Sequence, residues 1–135
     1  MSLQKVCRIS VLVTKRTGIT DEEFHSYWAN GHGPLVAPML IKYGILKYTQ
    51  YHMTPEYKAK GAAIGMPSPY DGIAEFLVNK YEDMSDFFSD PEYMVKIRPD
   101  EAKFVDIDKI VFNVGVDYVQ INDNKFVEHE GPSSF

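Results

Sequence analysis

The segment VCRISVLVTKRTGITDEEFHSYW, residues 6–28, contains a strand pattern that changes into a helix pattern. From Val6 to Thr14, apolar residues occupy every second position, which is the period of a β-strand. Thr20 and Glu23 then show the capping-box spacing of a helix start, and aromatic residues follow at helical spacing. The segment therefore predicts a strand that leads into an amphipathic helix.

The elements that follow occur in an order typical of one fold class. Residues 30–34 (NGHGP) are expected to end the first helix, and residues 54–70, with three prolines and two glycines, to form a long loop. Other predicted elements are a short helix at 35–43, strands at 45–53, 71–78 and 109–119, and helical segments between 81 and 105. The order β-α-β-β-α-β is that of the ferredoxin-like α+β fold. We predict one domain over residues 1–120 and a polar, extended tail over residues 121–135.

Each predicted strand has a second face that mixes apolar and polar residues. The polar members of these mixed faces are Arg8, Ser10, Gln50, His52, Asp71, Glu75, Asn113 and Asp117. A solvent-exposed face would carry more Lys and Glu, whereas a fully buried face would not hold such groups without partners. We therefore expect helices on the apolar face, and a pocket on the mixed face that a second subunit closes to form a homodimer.

Composition and charge exclude several classes of function. The net charge is −5 and no run of Lys and Arg occurs, so the electrostatic footprint of a nucleic-acid-binding protein is missing. No segment approaches the roughly 18 apolar residues of a membrane span, and the start of the chain lacks the pattern of a signal peptide. Cys7 is the single cysteine and is expected to be a buried thiol. These features predict a cytoplasmic protein.

Four polar side chains are candidates for chemistry. His32 lies between two glycines after a helix end, where it could transfer a proton near neutral pH or simply cap the helix. His52 could be a second proton carrier or a histidine at the rim of the pocket. Asp71 could orient a histidine or close the turn before the third strand. Arg8 could bind a substrate carboxylate or pair with an acidic side chain of its own face.

The sequence contains no spacing typical of a metal or nucleotide site. The four histidines and one cysteine form no HxH or HxxxH pair. There is also no GxGxxG motif, no Walker loop and no GxSxG motif. We therefore expect an activity that needs no metal and no organic cofactor.

Several motifs resemble those of one family. The segments FHSYW at 24–28 and HGPLV at 32–36 are similar to the EthD family of dimeric α+β barrels. The segments YGILKYTQYH at 43–52, YDGIAEF at 70–76 and DPEY at 90–93 resemble its fungal branch in aromatic polyketide pathways. Members of that branch are described as decarboxylases of atrochrysone carboxylic acid and related anthraquinone precursors. The family also includes polyketide cyclases.

The resemblance implies a cofactor-free decarboxylase of an aromatic polyketide acid in secondary metabolism. In this hypothesis His32 is the general acid, Asp71 orients it or raises its pKa, and His52 is a second proton carrier. The expected substrate-binding residues are Arg8 for the carboxylate, Trp28 and Tyr48 for stacking, and Phe76 and Leu12 for the wall. Two alternatives remain open, namely a cyclase or dehydratase of the same family and a dimer that binds a small molecule without catalysis.

Overall fold

The computed structural model describes residues 4–132 and 135. Residues 1–3 of the predicted domain and residues 133–134 of the predicted tail lie outside the described residues. Four strands form one antiparallel sheet in the order β2-β3-β1-β4. Their bounds are Gln4–Val13 (β1), Lys47–His52 (β2), Gly72–Val78 (β3) and Val111–Tyr118 (β4). The predicted ferredoxin-like α+β fold is confirmed.

Among the described residues, five α-helices accompany the sheet. Their bounds are Asp21–Tyr27 (α1), Gly33–Lys42 (α2), Pro55–Ala63 (α3), Tyr81–Ser89 (α4) and Arg98–Glu101 (α5). The predicted capping box of α1 is present, since Thr20 accepts from the backbone of Glu23 while the Glu23 carboxylate accepts from the backbone of Thr20. Within the described part of the chain, no helix is long and apolar enough to cross a membrane.

The helices cover one face of the sheet and bury a single core there. Ile9 of β1 pairs with Phe76 of β3, so the two side chains share the covered face. Ile9, Phe24 and Met84 are fully buried, which links the sheet to α1 and α4. Burial of such a side chain contributes roughly 1.5–3 kcal/mol to stability. Cys7 is a half-buried free thiol rather than the buried one expected.

The expected break after α1 is not present. Instead, a π-helical turn, Trp28–His32, joins α1 to α2 without interruption. Pro34 is the second residue of α2, and it has no backbone N–H to donate where the π-helical turn passes into α2. His32 is therefore held in a helical turn rather than in a flexible loop. A second π-helical turn, Tyr93–Ile97, leads in the same way into α5.

Two segments differ from the sequence expectation. Residues 55–63 form α3 instead of a loop, because Pro55 occupies the first turn and the residues after it contain good helix formers. In the tail, Ile121–Asn122 (β5) and Lys125–Phe126 (β6) form a short hairpin instead of an extended chain. Its turn residues have φ angles of 53° and 58°, and they are Asp123 and Asn124, which tolerate this conformation better than most residues.

Candidate active site

A cavity of about 450 Å³ lies between the covered face of the sheet and the helices. Most of its lining is apolar or aromatic, and it includes Val11 and Val13 of β1 together with Ala74 and Phe76 of β3. Its polar lining residues are His32, Tyr48, Tyr81, Tyr93, Arg98 and Glu101. The volume and the few polar groups in an aromatic wall are typical of a small-molecule site.

The cavity lies on the covered face of the sheet, whereas the sequence predicted a pocket on the mixed face that a second subunit closes. Val11 and Val13 line the cavity, so Leu12 between them points to the opposite face. Arg8 lies on that opposite face, 2.7 Å from Glu75 and 2.8 Å from Asp117. Arg8, Glu75 and Asp117 thus satisfy one another on this face, and Arg8 and Leu12 are not brought to the pocket.

His32 is the one predicted catalytic residue that lines the cavity. It is buried, and its Nδ1 lies 2.8 Å from the Asp100 carboxylate, which pairs the end of the first π-helical turn with α5. The expected partner was Asp71, and that prediction of the pairing was wrong. The Nε2 of His32 forms no hydrogen bond with any described residue, so it is available to a molecule in the cavity.

The surroundings of Asp100 fix the tautomer of His32. Burial alone would raise the pKa of Asp100, but hydrogen bonds from Tyr27, His32 and Lys103 lower the pKa below its usual value. The carboxylate is therefore ionised and can only accept hydrogen bonds. His32 must donate through Nδ1–H, which leaves a lone pair on Nε2 when the ring is neutral. This arrangement presents a base to the cavity.

Glu101 adds a second titratable group to the same cavity. Burial raises the pKa of Glu101, and its Oε1 accepts a hydrogen bond of 2.6 Å from the Tyr93 hydroxyl. Burial and the neighbouring Glu101 also raise the pKa of Tyr93, which keeps this hydroxyl protonated. Arg98 lies beside both groups but forms no ion pair within 4.0 Å among the described residues. Its guanidinium can therefore bind an anion in the cavity.

Three of the predicted substrate-binding residues form aromatic walls of the cavity. They are Trp28, Tyr48 and Phe76. The rings of Tyr48 and Phe76 stack with a centroid distance of 5.0 Å and an interplanar angle of 5°. Together with Trp28, these rings supply aromatic surface to the cavity wall.

Asp71 and His52 lie outside the cavity lining. Asp71 is buried at the start of β3 and accepts from the backbone of Lys15 at 2.6 Å and from Lys58 Nζ at 2.9 Å. It therefore ties α3 and the β1–α1 connection to the sheet. His52 packs on Trp28 and faces His25, with 2.8 Å between the two Nδ1 atoms. Burial lowers the pKa of both histidines, so the pair favours the neutral state.

Comparison with known proteins identifies the family. A model of the EthD domain matches residues 16–108, which is more than half of the chain. The chain belongs to the EthD family. The resemblance seen in the sequence motifs is thereby confirmed.

Curated EthD relatives carry two kinds of enzyme name. "Dehydratase aurZ" of Gibberella zeae is 28% identical over 127 residues, which cover 90% of this chain and 83% of that protein. "Dehydratase CTB10" of Cercospora beticola is 32% identical over 104 residues, or 73% of this chain and 79% of that protein. "Decarboxylase claH" of Passalora fulva is 24% identical over 125 residues, which cover 89% of this chain and 81% of that protein.

Solved structures support the fold. An EthD-like protein from Ralstonia eutropha superposes with a TM-score of 0.59 at 19% identity, over 87% of this chain and 95% of that chain. A DABB family protein with a ferredoxin-like fold from Mesorhizobium loti gives a TM-score of 0.50 at 14% identity, over 88% of this chain and 100% of that chain. At these identities the likeness concerns the fold alone.

Part of the polar site of this EthD chain was missed by sequence reasoning. The segment RPDE at 98–101 places Arg98, Asp100 and Glu101 in the shortest α-helix, and Tyr93 precedes it by one turn. Three charged residues around a proline are an ordinary surface pattern, so nothing local marks them as buried. Only the contact of Asp100 with His32, 68 positions earlier in the chain, shows that this segment borders the cavity.

Among the described residues, no cluster of His, Cys, Asp and Glu has the arrangement of a metal site.

Proposed function

We propose that this EthD chain is a cofactor-independent lyase that removes water from an aromatic polyketide acid by acid–base catalysis. The observation that carries the proposal is the pair of His32 and Glu101 in one aromatic cavity. Asp100 holds His32 so that Nε2 is a base, whereas burial raises the pKa of Glu101 and favours its acid form.

The lining of the cavity supports the class of substrate. The stacked rings of Tyr48 and Phe76 and the indole of Trp28 favour a flat, aromatic molecule. Arg98 adds a cation that forms no ion pair within 4.0 Å among the described residues, which favours a substrate that bears an acidic group. Arg98 replaces Arg8 in the role that the sequence assigned to the carboxylate-binding residue.

In the proposed dehydration, the cavity supplies both proton transfers. His32 Nε2 takes a proton from the carbon next to a carbonyl group, and the freed electron pair forms a carbon–carbon double bond. The hydroxyl group on the neighbouring carbon leaves with the proton of Glu101 as water. Proton exchange between His32 and Glu101, directly or through water, restores the starting state. Each positioned proton transfer contributes typically 10²- to 10⁴-fold to the rate.

Decarboxylation is the second candidate, and Arg98 is the observation that favours it. The substrate carboxylate would leave as CO₂, its bonding electrons would stay on the carbon, and Glu101 would protonate that carbon. A cation next to the carboxylate would also stabilise the ground state, which gains nothing in kcat. For this reason, and because aurZ and CTB10 are named dehydratases, we rank dehydration first.

The test is turnover of an aromatic polyketide acid such as atrochrysone carboxylic acid, followed by mass spectrometry. We expect a product lighter by one water, and loss of CO₂ would instead assign the second candidate. His32→Ala and Glu101→Gln should each lower kcat by roughly 10²-fold or more. His129→Ala is the matched control, because His129 bonds to the backbone of Val119 outside the cavity. Tight binding without turnover would show a binding protein and overturn the proposal.

A further inference from the structure

The hydroxyl group of Tyr48 lies at the cavity wall and is held from behind by a polar side chain. Gln50 is two residues along β2 and points to the same, covered face of the sheet. Its Nε2 lies 2.9 Å from the Trp28 carbonyl oxygen and 2.9 Å from the Tyr48 hydroxyl. Gly33 permits this approach, because a Cβ there would lie only 2.9 Å from Gln50 Nε2.

The orientation of the Gln50 amide follows from its partners. The Trp28 carbonyl can only accept a hydrogen bond, so the amide nitrogen, and not the amide oxygen, must face it. The amide oxygen then faces His52 Nε2 at 2.9 Å and accepts its N–H. His52 Nδ1 in turn faces His25 Nδ1 at 2.8 Å. Each link fixes the next, so the amide cannot flip without breaking two hydrogen bonds.

This arrangement determines the direction of the Tyr48 hydrogen bond. An amide nitrogen has two hydrogens, and those of Gln50 go to the Trp28 carbonyl and to the Tyr48 oxygen. The Tyr48 oxygen is therefore an acceptor on this side, and its own proton must point elsewhere. No described residue accepts that proton, and Tyr48 lines the cavity.

The ring of Tyr48 is also fixed in place and kept neutral. Its stacking on Phe76 restricts rotation of the ring. Burial raises the pKa of Tyr48, while the contacts of Gln50 and Trp28 act in the opposite direction and strengthen its hydroxyl as a donor. A neutral phenol with one free proton is thus presented to the cavity.

We propose that Tyr48 donates a hydrogen bond to a carbonyl or phenolic oxygen of the bound molecule, and that Gln50 is the positioning residue that directs this proton. The inference rests on the proposed function in that it requires an aromatic ligand in the cavity. It adds that this ligand carries an acceptor oxygen on the ring system, separate from the acidic group that Arg98 binds. Such an oxygen gains negative charge when a neighbouring carbon is deprotonated, so the same donor would stabilise the transition state.

Two probes with the same three-ring skeleton test whether Tyr48 donates a hydrogen bond to the ligand. Anthraquinone-2-carboxylate carries ring carbonyls and anthracene-2-carboxylate does not, and their dissociation constants are measured by calorimetry. The quantity of interest is the ratio of the two affinities. We expect Tyr48→Phe to reduce the preference for the quinone by roughly 2- to 10-fold, the effect of one neutral hydrogen bond, with little change for anthracene-2-carboxylate.

Gln50→Glu tests the positioning role, since its carboxylate can only accept and would capture the Tyr48 proton. It should reduce the affinity ratio as much as Tyr48→Phe does, and the double variant should show no further loss. Tyr51→Phe is the matched control, because Tyr51 is the next tyrosine of β2 and lies half-exposed outside the cavity lining. It should leave the ratio unchanged.

The outcomes separate the two proposals. If both probes bind and Tyr48→Phe does not change the ratio of their affinities, the donor inference is overturned. The proposal of an aromatic-acid site in the cavity is then unaffected. A wild-type ratio in Gln50→Glu overturns the positioning role of Gln50. Binding of neither probe to the wild-type protein overturns the aromatic-acid site and the donor inference together.

Discussion

Asp100 and Glu101 are neighbours in sequence, and their pKa values are shifted in opposite directions. Asp100 has a lowered pKa because hydrogen bonds from Tyr27, His32 and Lys103 outweigh its burial. Glu101 has a raised pKa because burial outweighs its hydrogen bond with Tyr93. Asp100 therefore orients His32, while the surroundings of Glu101 favour its protonated form more than water would. Both residues lie in the single turn of helix α5.

The raised pKa of Glu101 predicts a pH-dependent contribution to stability. A carboxyl group whose pKa is raised on folding stabilises the fold below its unfolded pKa of about 4.3. This stabilisation is lost as pH rises through the folded-state pKa. Because Gln cannot ionise, the thermal midpoint of Glu101→Gln should rise relative to wild type as pH increases from about 4 to 8.

Thermal unfolding at several pH values checks this prediction. Glu82→Gln is the control, because Glu82 is exposed in the first turn of α4. Its midpoint should follow that of the wild type at every pH. A difference in thermal midpoint between Glu101→Gln and wild type that does not change with pH would contradict the prediction.

Sequence reasoning identified single residues of the site better than it identified the contacts between them. His32, Trp28, Tyr48 and Phe76 were expected at the site, and all four line the cavity. The assignment of Asp71 as the partner of His32 failed, because the choice among acidic residues depends on contacts between distant segments. Such contacts leave no periodic signal in the sequence.

At the scale of the elements, the first π-helical turn lies very close to β3. A Cβ at Gly72, the first residue of β3, would overlap the Trp28 ring and lie 3.0 Å from the backbone oxygen of Tyr51. Only a glycine permits the indole to lie this close to the strand. The position of one cavity wall therefore depends on a residue that has no side chain.

Gly72→Ala should displace Trp28 and destabilise the protein by about 1–3 kcal/mol, the usual range for overpacking a core. Trp28 is the single tryptophan, so its fluorescence emission reports the displacement directly. Gly115→Ala is the matched control in β4, because a Cβ there would have no neighbour within 4 Å. Equal stability and emission of the two variants would refute the predicted contact.

The elements with local signals were predictable, and those without such signals were not. An alternating apolar pattern is enough to predict β1, and a capping box is enough to predict the start of α1. In contrast, helix α3 was concealed by the prolines and glycines around it. The π-helical turn at Trp28–His32 was concealed because its sequence, WANGH, looks like a helix end.

At the scale of the whole molecule, the sheet has an apolar edge. β4 pairs with β1 on one side only, and Val114 and Val116 are each 50% exposed. An exposed apolar edge strand is a site for pairing with another chain. We propose that β4, with these exposed side chains, forms part of the interface of a homodimer.

Light scattering at micromolar concentration should therefore give the mass of a dimer. The double variant Val114→Asp and Val116→Asp should give a monomer, since two buried carboxylates would oppose the interface. Ile41→Asp places the same charge on an exposed apolar residue of helix α2 and should remain dimeric. A monomeric wild-type protein, or an unchanged mass in the double variant, would exclude this interface.

The geometry of the proposed active site depends on the number of residues in each π-helical turn as well as on their identity. A π turn holds one residue more than the α turn that would replace it, and each α-helical residue adds about 100° of rotation. Loss of one residue between Trp28 and His32 would therefore regularise the helix and rotate the two side chains relative to each other, although both would still be present. The segment from Tyr93 to Ile97 has the same property with respect to Glu101. In evolution or in protein engineering, we expect a single-codon deletion here to disturb the proposed site more than many substitutions would, even where it made the protein more stable.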